Sequence, residues 1–132
     1  MSGRRQGARG DLVLIDEWVR EAKLLVDPNA TGMFLVHQGV VRGTSRSGER
    51  VLGMELTADR DRLEALLAEA RCWPGVQVVR AWVNEGSLAV GDDIMKVLVG
   101  GDRGDRVHAA MRRLVAAIKA EVVSESEVRV DD

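Results

Sequence analysis

Arg42 stands at the end of an apolar run, residues 33–41, and is followed at once by the polar, glycine-bearing segment Gly43-Thr44-Ser45-Arg46-Ser47-Gly48. A strand that delivers an arginine to its end and then yields to a loop presents a cation to an anionic ligand. The guanidinium fork matches the paired oxygens of a carboxylate or phosphate. His37 lies five residues earlier, an odd offset that puts it on the opposite face of a regular strand. An imidazole there either fills a structural role or exchanges protons near neutral pH. Lys119 falls near the end of the last helical pattern, where the helix dipole favours a cation whatever else it does.

Other polar groupings carry less chemistry. Gly100-Gly101-Asp102-Arg103-Gly104-Asp105 precedes a helix, where backbone N–H groups can hold an anion. It lacks a P-loop lysine and carries two aspartates that oppose an anion, so it reads as a flexible turn with an N-cap. Asp92, Asp93, Glu125, Glu127, Asp131 and Asp132 have no His or Cys at ligand spacing, which gives a structural metal site little support and reads as a solvated acidic face. No Ser-His-Asp or Cys-His arrangement is present. His108 reads as a surface residue of the last helix, and Cys72, the single cysteine, as a packed or half-buried thiol beside Trp73.

The elements that must position these groups follow from periodicity. Residues 11–15 read as a short strand, and Asp16 offers an N-cap for a helix to about Val26, stopped by Asp27-Pro28-Asn29. Residues 33–42 and 50–57 are β-like, and the polar stretch between them is too long for a tight hairpin turn, so it reads as a mobile loop beside Arg42. Residues 59–72 form a helix with Leu63, Leu66, Leu67 and Ala70 on one face, ended by Trp73-Pro74-Gly75. Residues 76–83 form a strand. Asn84-Glu85-Gly86 turns the chain, residues 88–92 make a second bend, and residues 93–99 form another strand. The last helix, about 105–121, buries Val107, Met111, Leu114, Val115 and Ile118.

Composition narrows the class. The chain has 132 residues, 45% hydrophobic and 30% charged, enough to bury roughly 68% of its unfolded surface without staples. It reads as one domain over residues 11–132 after a flexible N-terminal arm, residues 1–10, that holds Arg4, Arg5 and Arg9. A net charge of -2, with Trp18, Phe34, Trp73 and Trp82 as the only aromatics, argues against nucleic-acid binding. No apolar window is long enough to cross a bilayer, and without a disulfide framework or signal-like segment the expected location is cytoplasmic.

The segment His37-Gln38-Gly39-Val40-Val41-Arg42, followed by Arg50-Val51-Leu52-Gly53-Met54-Glu55-Leu56, resembles the F-x-G-x-V-R strand and next apolar strand of the molybdopterin synthase large-subunit family, MoaE-like proteins. Glu85-Gly86 to Gly91-Asp92 is similar to the family's glycine-bearing turn and G-[DE] step, and Ile118-Lys119 to the start of L-K-x-x-x-P-x-W-K. The resemblance spans about residues 11–128. It implies an α+β fold of the α/β-hammerhead type, with an antiparallel sheet and helices packed on one side. It further implies a homodimer that works with a small ubiquitin-like sulfur carrier ending in Gly-Gly, converting cyclic pyranopterin monophosphate to molybdopterin without a resident cofactor or metal.

By this resemblance Lys119 is the catalytic lysine and Arg42 the phosphate or carboxylate clamp. Arg103 binds substrate at the family's S-x-H-R position, and His37 takes the place of the family's aromatic. The chain departs from the pattern in three places. The S-x-H-R histidine has no counterpart at Gly101-Asp102-Arg103-Gly104, and the second lysine is replaced by Ser126. The family's C-terminal arginine has only Arg129 as a candidate. The alternative implied by these departures is a member that keeps the fold and acts as a non-enzymatic binding or regulatory module.

Overall fold

The computed structural model describes residues 14–130. Its elements are α1 (Ile15–Leu25), β1 (Met33–Val40), β2 (Val51–Ala58), α2 (Arg60–Ala70), β3 (Val76–Val83), β4 (Gly86–Ala89), β5 (Asp93–Gly101), α3 (Gly104–Ala117), a π-helical turn (Ile118–Val122) and β6 (Val123–Arg129). They form two antiparallel three-stranded sheets, ordered β1-β5-β3 and β4-β2-β6. The class is α+β.

The central strand β5 explains the layering. Met95, Val97 and Val99 join a core cluster with Leu63, Leu66 and Leu67 of α2 and Val107, Met111 and Leu114 of α3. Leu98, pointing the other way, packs with Trp18 and Ala22 of α1 and with Val78. Strands alternate their side chains between faces, so an apolar run such as Val97-Leu98-Val99 demands cover on both. Helices α2 and α3 lie together as expected, whereas α1 covers the opposite face. The larger cluster also takes in Met54, Leu56 and Leu88 from the second sheet, which ties the two sheets together. Leu56, Leu98, Leu114 and Ile118 are fully enclosed, each contributing about 1.5–3 kcal/mol through burial.

Local chemistry sets the boundaries. Asp59 caps α2 by accepting from the Arg62 backbone N–H at 3.0 Å. After α2 the chain reverses at Gly75, whose φ of 78° suits glycine. A Cβ there would lie 2.5 Å from both Arg106 and Asp102. Helix α1 begins one residue before the expected cap. Leu14 occupies the N-cap without a side-chain bond, and Asp16 and Glu17 sit in the first turn, where the dipole favours them. The expected strand over residues 11–15 is not found at its described end, since Ile15 is helical; residues 11–13 and the arm 1–10 lie outside the described residues.

Three further segments differ from the sequence reading. The stretch after Arg42 is a closed turn: Thr44 bridges Arg50, the Ser45 N–H donates to Glu49 O at 2.7 Å, and the buried Ser45 hydroxyl accepts from the Glu49 N–H at 3.1 Å. The bend at 88–92 is in part strand β4, paired to β2. Residues 123–129, read as a solvated acidic segment, form β6 on the other side of β2, with Ser126 opposite Glu55. Cys72 is exposed rather than packed. Among the described residues no helix is long and apolar enough to cross a membrane.

Candidate functional site

Lys119 sits in the π-helical turn that follows α3, so the expected single helix through residue 121 changes its winding at Ile118. A π-turn adds a residue to the helical ring and re-aims the side chains after it, a device common at functional sites. This turn is pinned on both flanks. Ile118 and Val122 are buried, and the Asp59 N–H donates to Val122 O at 2.8 Å. Arg62 of α2 holds Glu121 through its Nε at 2.8 Å and Glu69 through a second nitrogen at 3.0 Å. The backbone under Lys119 is therefore fixed while its side chain is exposed.

His37 belongs to β1, opposite Val97 of β5, on the alternation shared by Leu35 and Met33, which pack against the α2/α3 core. Its ring leans along the strand over Gly39: Nε2 lies 3.7 Å from where a Gly39 Cβ would stand. Partial burial lowers the His37 pKa below its ordinary value, and the Lys119 charge lowers it further. The fold thus brings a neutral imidazole within the field of an ammonium, although 82 positions separate them in sequence (119 minus 37). A neutral imidazole offers one acceptor and one donor nitrogen, and the lysine offers three donors. Such a pair can deliver a proton to, or take one from, a ligand bound over Lys119.

Arg42 lies two residues past the end of β1. Buried Val41 anchors the chain there, and the Val41 N–H donates to Asp92 O at 2.9 Å. The register shift between Gly39 and Val40 breaks the alternation that would set His37 and Arg42 on opposite faces. Arg42 is exposed and its Nε donates to Thr44 O at 2.8 Å. Its Nη groups make no hydrogen bond among the described residues, so that end of the fork stays open. No hydrogen bond or ion pair among the described residues joins Arg42 to His37 or Lys119.

Arg103 is placed apart from this group. It is the N-cap of α3, has an exposed side chain, and pairs with Asp105 at 2.9 Å. Desolvation, the largest single influence, raises the Asp105 pKa, but the Arg103 charge and the hydrogen bonds from Arg103 and from the Arg106 and Asp105 backbone together outweigh it and leave the carboxyl below its ordinary value. Fourteen residues of α3 lie between Arg103 and the turn that bears Lys119, a span of about 21 Å. The glycines expected in a flexible turn, Gly100 and Gly101, end strand β5, and no side chain caps the helix. Ser126 faces Glu55 across β2 and β6, and Arg129 pairs with Glu127 at 2.9 Å and with Glu49. Among the described residues no cluster of His, Cys, Asp or Glu is placed to hold a metal ion.

Sequence reasoning missed the π-turn and the Arg62–Glu121 clasp that holds it. The clasp links residues 59 apart and leaves no local pattern. The turn follows a regular apolar stripe that continues through Ile118 and hides the change of winding.

Two antiparallel sheets bound by a helix pair, with a lysine on a pinned turn whose charge acts on a strand histidine, define an α+β domain. The chain belongs to the MoaE protein family, whose model matches residues 15–121. No curated protein sequence matches it. Among solved structures, the molybdopterin synthase of Staphylococcus aureus is similar with a TM-score of 0.71 at 19% identity, covering 86% of this chain and 85% of that one. A complex of subunits 1 and 2 of the molybdopterin-converting factor of Helicobacter pylori gives 0.67 at 15%, covering 89% and 77%. The molybdopterin biosynthesis MoaE protein of Burkholderia ambifaria gives 0.67 at 23%, covering 88% and 79%. These likenesses concern the fold.

Proposed function

We propose that this chain is the large subunit of a molybdopterin synthase, which moves sulfur from the thiocarboxylated Gly-Gly end of a small carrier protein onto a pyranopterin phosphate. The observation that carries this reading is the approach of His37 to Lys119 on a pinned turn within a MoaE-family domain. Sulfur replaces oxygen on the pterin side chain, so the departing oxygen needs a proton and the phosphate needs a cation. Lys119 supplies the proton or handles the carrier's acyl group, with neutral His37 as its exchange partner. Arg42, its Nη groups open, clamps the phosphate or the carrier's terminal carboxylate. The Helicobacter pylori neighbour is itself a complex of two different subunits, which supports the pairing with a small subunit.

A homodimer completes the reading. In the segment 82–93 Trp82 packs on the α1 side of the sheet and Leu88 is core, which leaves Val90 as its exposed large apolar side chain. Edge strand β1 is the better surface: its eight residues, Met33–Val40, hold no proline and no Asp, Glu, Lys or Arg, and none of them is fully buried. Unblunted edges of this kind invite pairing. Two copies paired antiparallel along β1 would set the Met33 end of one against the Val40 end of the other. Gly104, next to Arg103, lies at the Met33 end, its Cβ position 3.6 Å from Met33 Sδ. That arrangement carries the partner copy's α3 N-terminus toward Arg42 and gives Arg103 access to the ligand that its own Lys119, about 21 Å away, cannot share.

The test is assembly. Mixed with a small ubiquitin-like carrier ending in Gly-Gly, the chain should sediment as a complex of two large and two small subunits. A lone 14.4 kDa species at micromolar concentration, unchanged by the carrier, would overturn the reading.

A further inference from the structure

A second basic feature lies on the flank of α3 that meets the end of α2. Trp73 is held there by the turn after α2, its N–H donating to Ala70 O at 3.1 Å and its carbonyl accepting from the Val76 N–H at 3.1 Å. The Arg113 guanidinium carbon stands 4.1 Å from the centroid of the Trp73 ring. One helical face below it, Arg106 pairs with Asp102 at 3.1 Å through a single oxygen, and the other oxygen of Asp102 is buried without a hydrogen-bond partner. Between the two arginines runs a cleft of about 160 Å³ floored by Ala109 and Ala110 and walled by Trp73 and Pro74.

We propose that this cleft docks an extended acidic segment of a protein partner, with two carboxylates three residues apart. Arg113 has no carboxylate partner among the described residues; its flat face is spent on Trp73, and its N–H edge remains available for an incoming carboxylate. Arg106 and Arg113 are seven residues apart on one helix, about 10 Å along the axis. Carboxylates at positions i and i+3 of a segment in the extended polyproline II form lie on one face, three residues per turn, and span about 9 Å at 3.1 Å per residue. A single phosphate cannot bridge that gap. A nucleobase would have to displace the guanidinium already stacked on Trp73. The small alanine floor leaves room for a backbone lying between the charges, and the tryptophan wall takes the intervening apolar side chain. Charge and spacing together therefore select an acidic segment in the polyproline II form over a free anion or a nucleic acid.

Fluorescence anisotropy with a labelled Gly/Ser-flanked Asp-Leu-Ser-Asp peptide tests this at low salt, with the Asn-Leu-Ser-Asn peptide as comparison. The acidic peptide should bind at least about tenfold more tightly, a difference that Arg113→Gln removes and 0.5 M salt suppresses. Arg112→Gln changes charge equally on the neighbouring exposed position and should leave binding within about twofold. Arg113→Lys, which keeps the charge but gives up the planar stack, should fall between. Thermal melts of all three variants should match the unaltered chain, because these side chains are exposed. Absence of saturable binding, equal losses in Arg112→Gln and Arg113→Gln, or displacement by inorganic phosphate at matched concentration would each overturn the proposal.

Discussion

The two ends of α3 are built by different means. At its N-terminus the charged groups satisfy one another locally: Arg103 pairs with Asp105 two residues on, and Arg106 with Asp102 four residues back. At its C-terminus, contacts from distant parts of the chain add to the helix's own hydrogen bonds. Arg62 reaches Glu121 across 59 residues, the Asp59 N–H reaches Val122 O, and Lys119 acts on His37 of β1. Self-contained ion pairs on an exposed turn cost little to break and position nothing beyond themselves. The distant end is where three elements meet, and it is there that Lys119 is held. Within one protomer, α3 therefore works as a beam that fixes one site and carries a spare arginine outward at its other end.

Removing the packing common to both ends should have the largest effect. Leu114 is fully enclosed in the middle of the core, and Leu114→Ala should cost about 3 kcal/mol, read from the midpoint of chemical denaturation. A loss below about 1 kcal/mol would mean that α3 does not brace the structure as described. The next effect is confined to one end. Arg62→Ala releases Glu121 and Glu69, and amide exchange of residues 118–122 should quicken while residues 103–107 keep their protection. Equal change at both ends would erase the contrast.

The His37 titration sharpens it further. The folded pKa lies below the ordinary 6.5, so as pH falls the unfolded chain takes up the proton first and gains by it. Stability from this group is therefore full above pH 6.5 and declines as pH drops from there through the lower folded value. Lys119→Met removes the second cause and leaves burial, so the His37 pKa, followed by NMR, should rise part of the way back. No movement would show that the two side chains do not sense each other. The smallest effect belongs to the other end: Arg103→Ala should leave the melting temperature unchanged while the Asp105 carboxyl titrates at a higher pH, having lost its largest favourable influence.

Much of the fold was legible where side-chain pattern and local punctuation agreed. Strand 76–83 is found as read, and the helix read over residues 59–72, with Leu63, Leu66, Leu67 and Ala70 inward, is found over Arg60–Ala70 with Asp59 as its cap. Strand β6 was not legible, because alternating Ser and Glu has low β-propensity and the segment is a strand only through its ladder with β2. The place of α1 was half legible: its stripe showed that it packs, but the helices were read on one side of the sheet, and the cover that α1 gives to the Leu98 face was not. Which helix went where depends on topology. At the site, Arg42 and Lys119 were visible as cations and His37 as a candidate, but the direction of Arg42 was not, since the bulge at Gly39/Val40 and the Thr44 carbonyl that takes its Nε are tertiary details. That Arg103 stands a full helix length from Lys119 follows from the helix boundaries themselves.

The most direct measurement is single-turnover sulfur transfer from a thiocarboxylated Gly-Gly carrier to the pyranopterin phosphate, comparing the unaltered chain with Lys119→Ala. The account predicts that the unaltered chain forms product and that Lys119→Ala slows it by about a hundredfold or more with the complex and the melting temperature intact. Equal rates for the two proteins, or no product from either in the assembled complex, would contradict it.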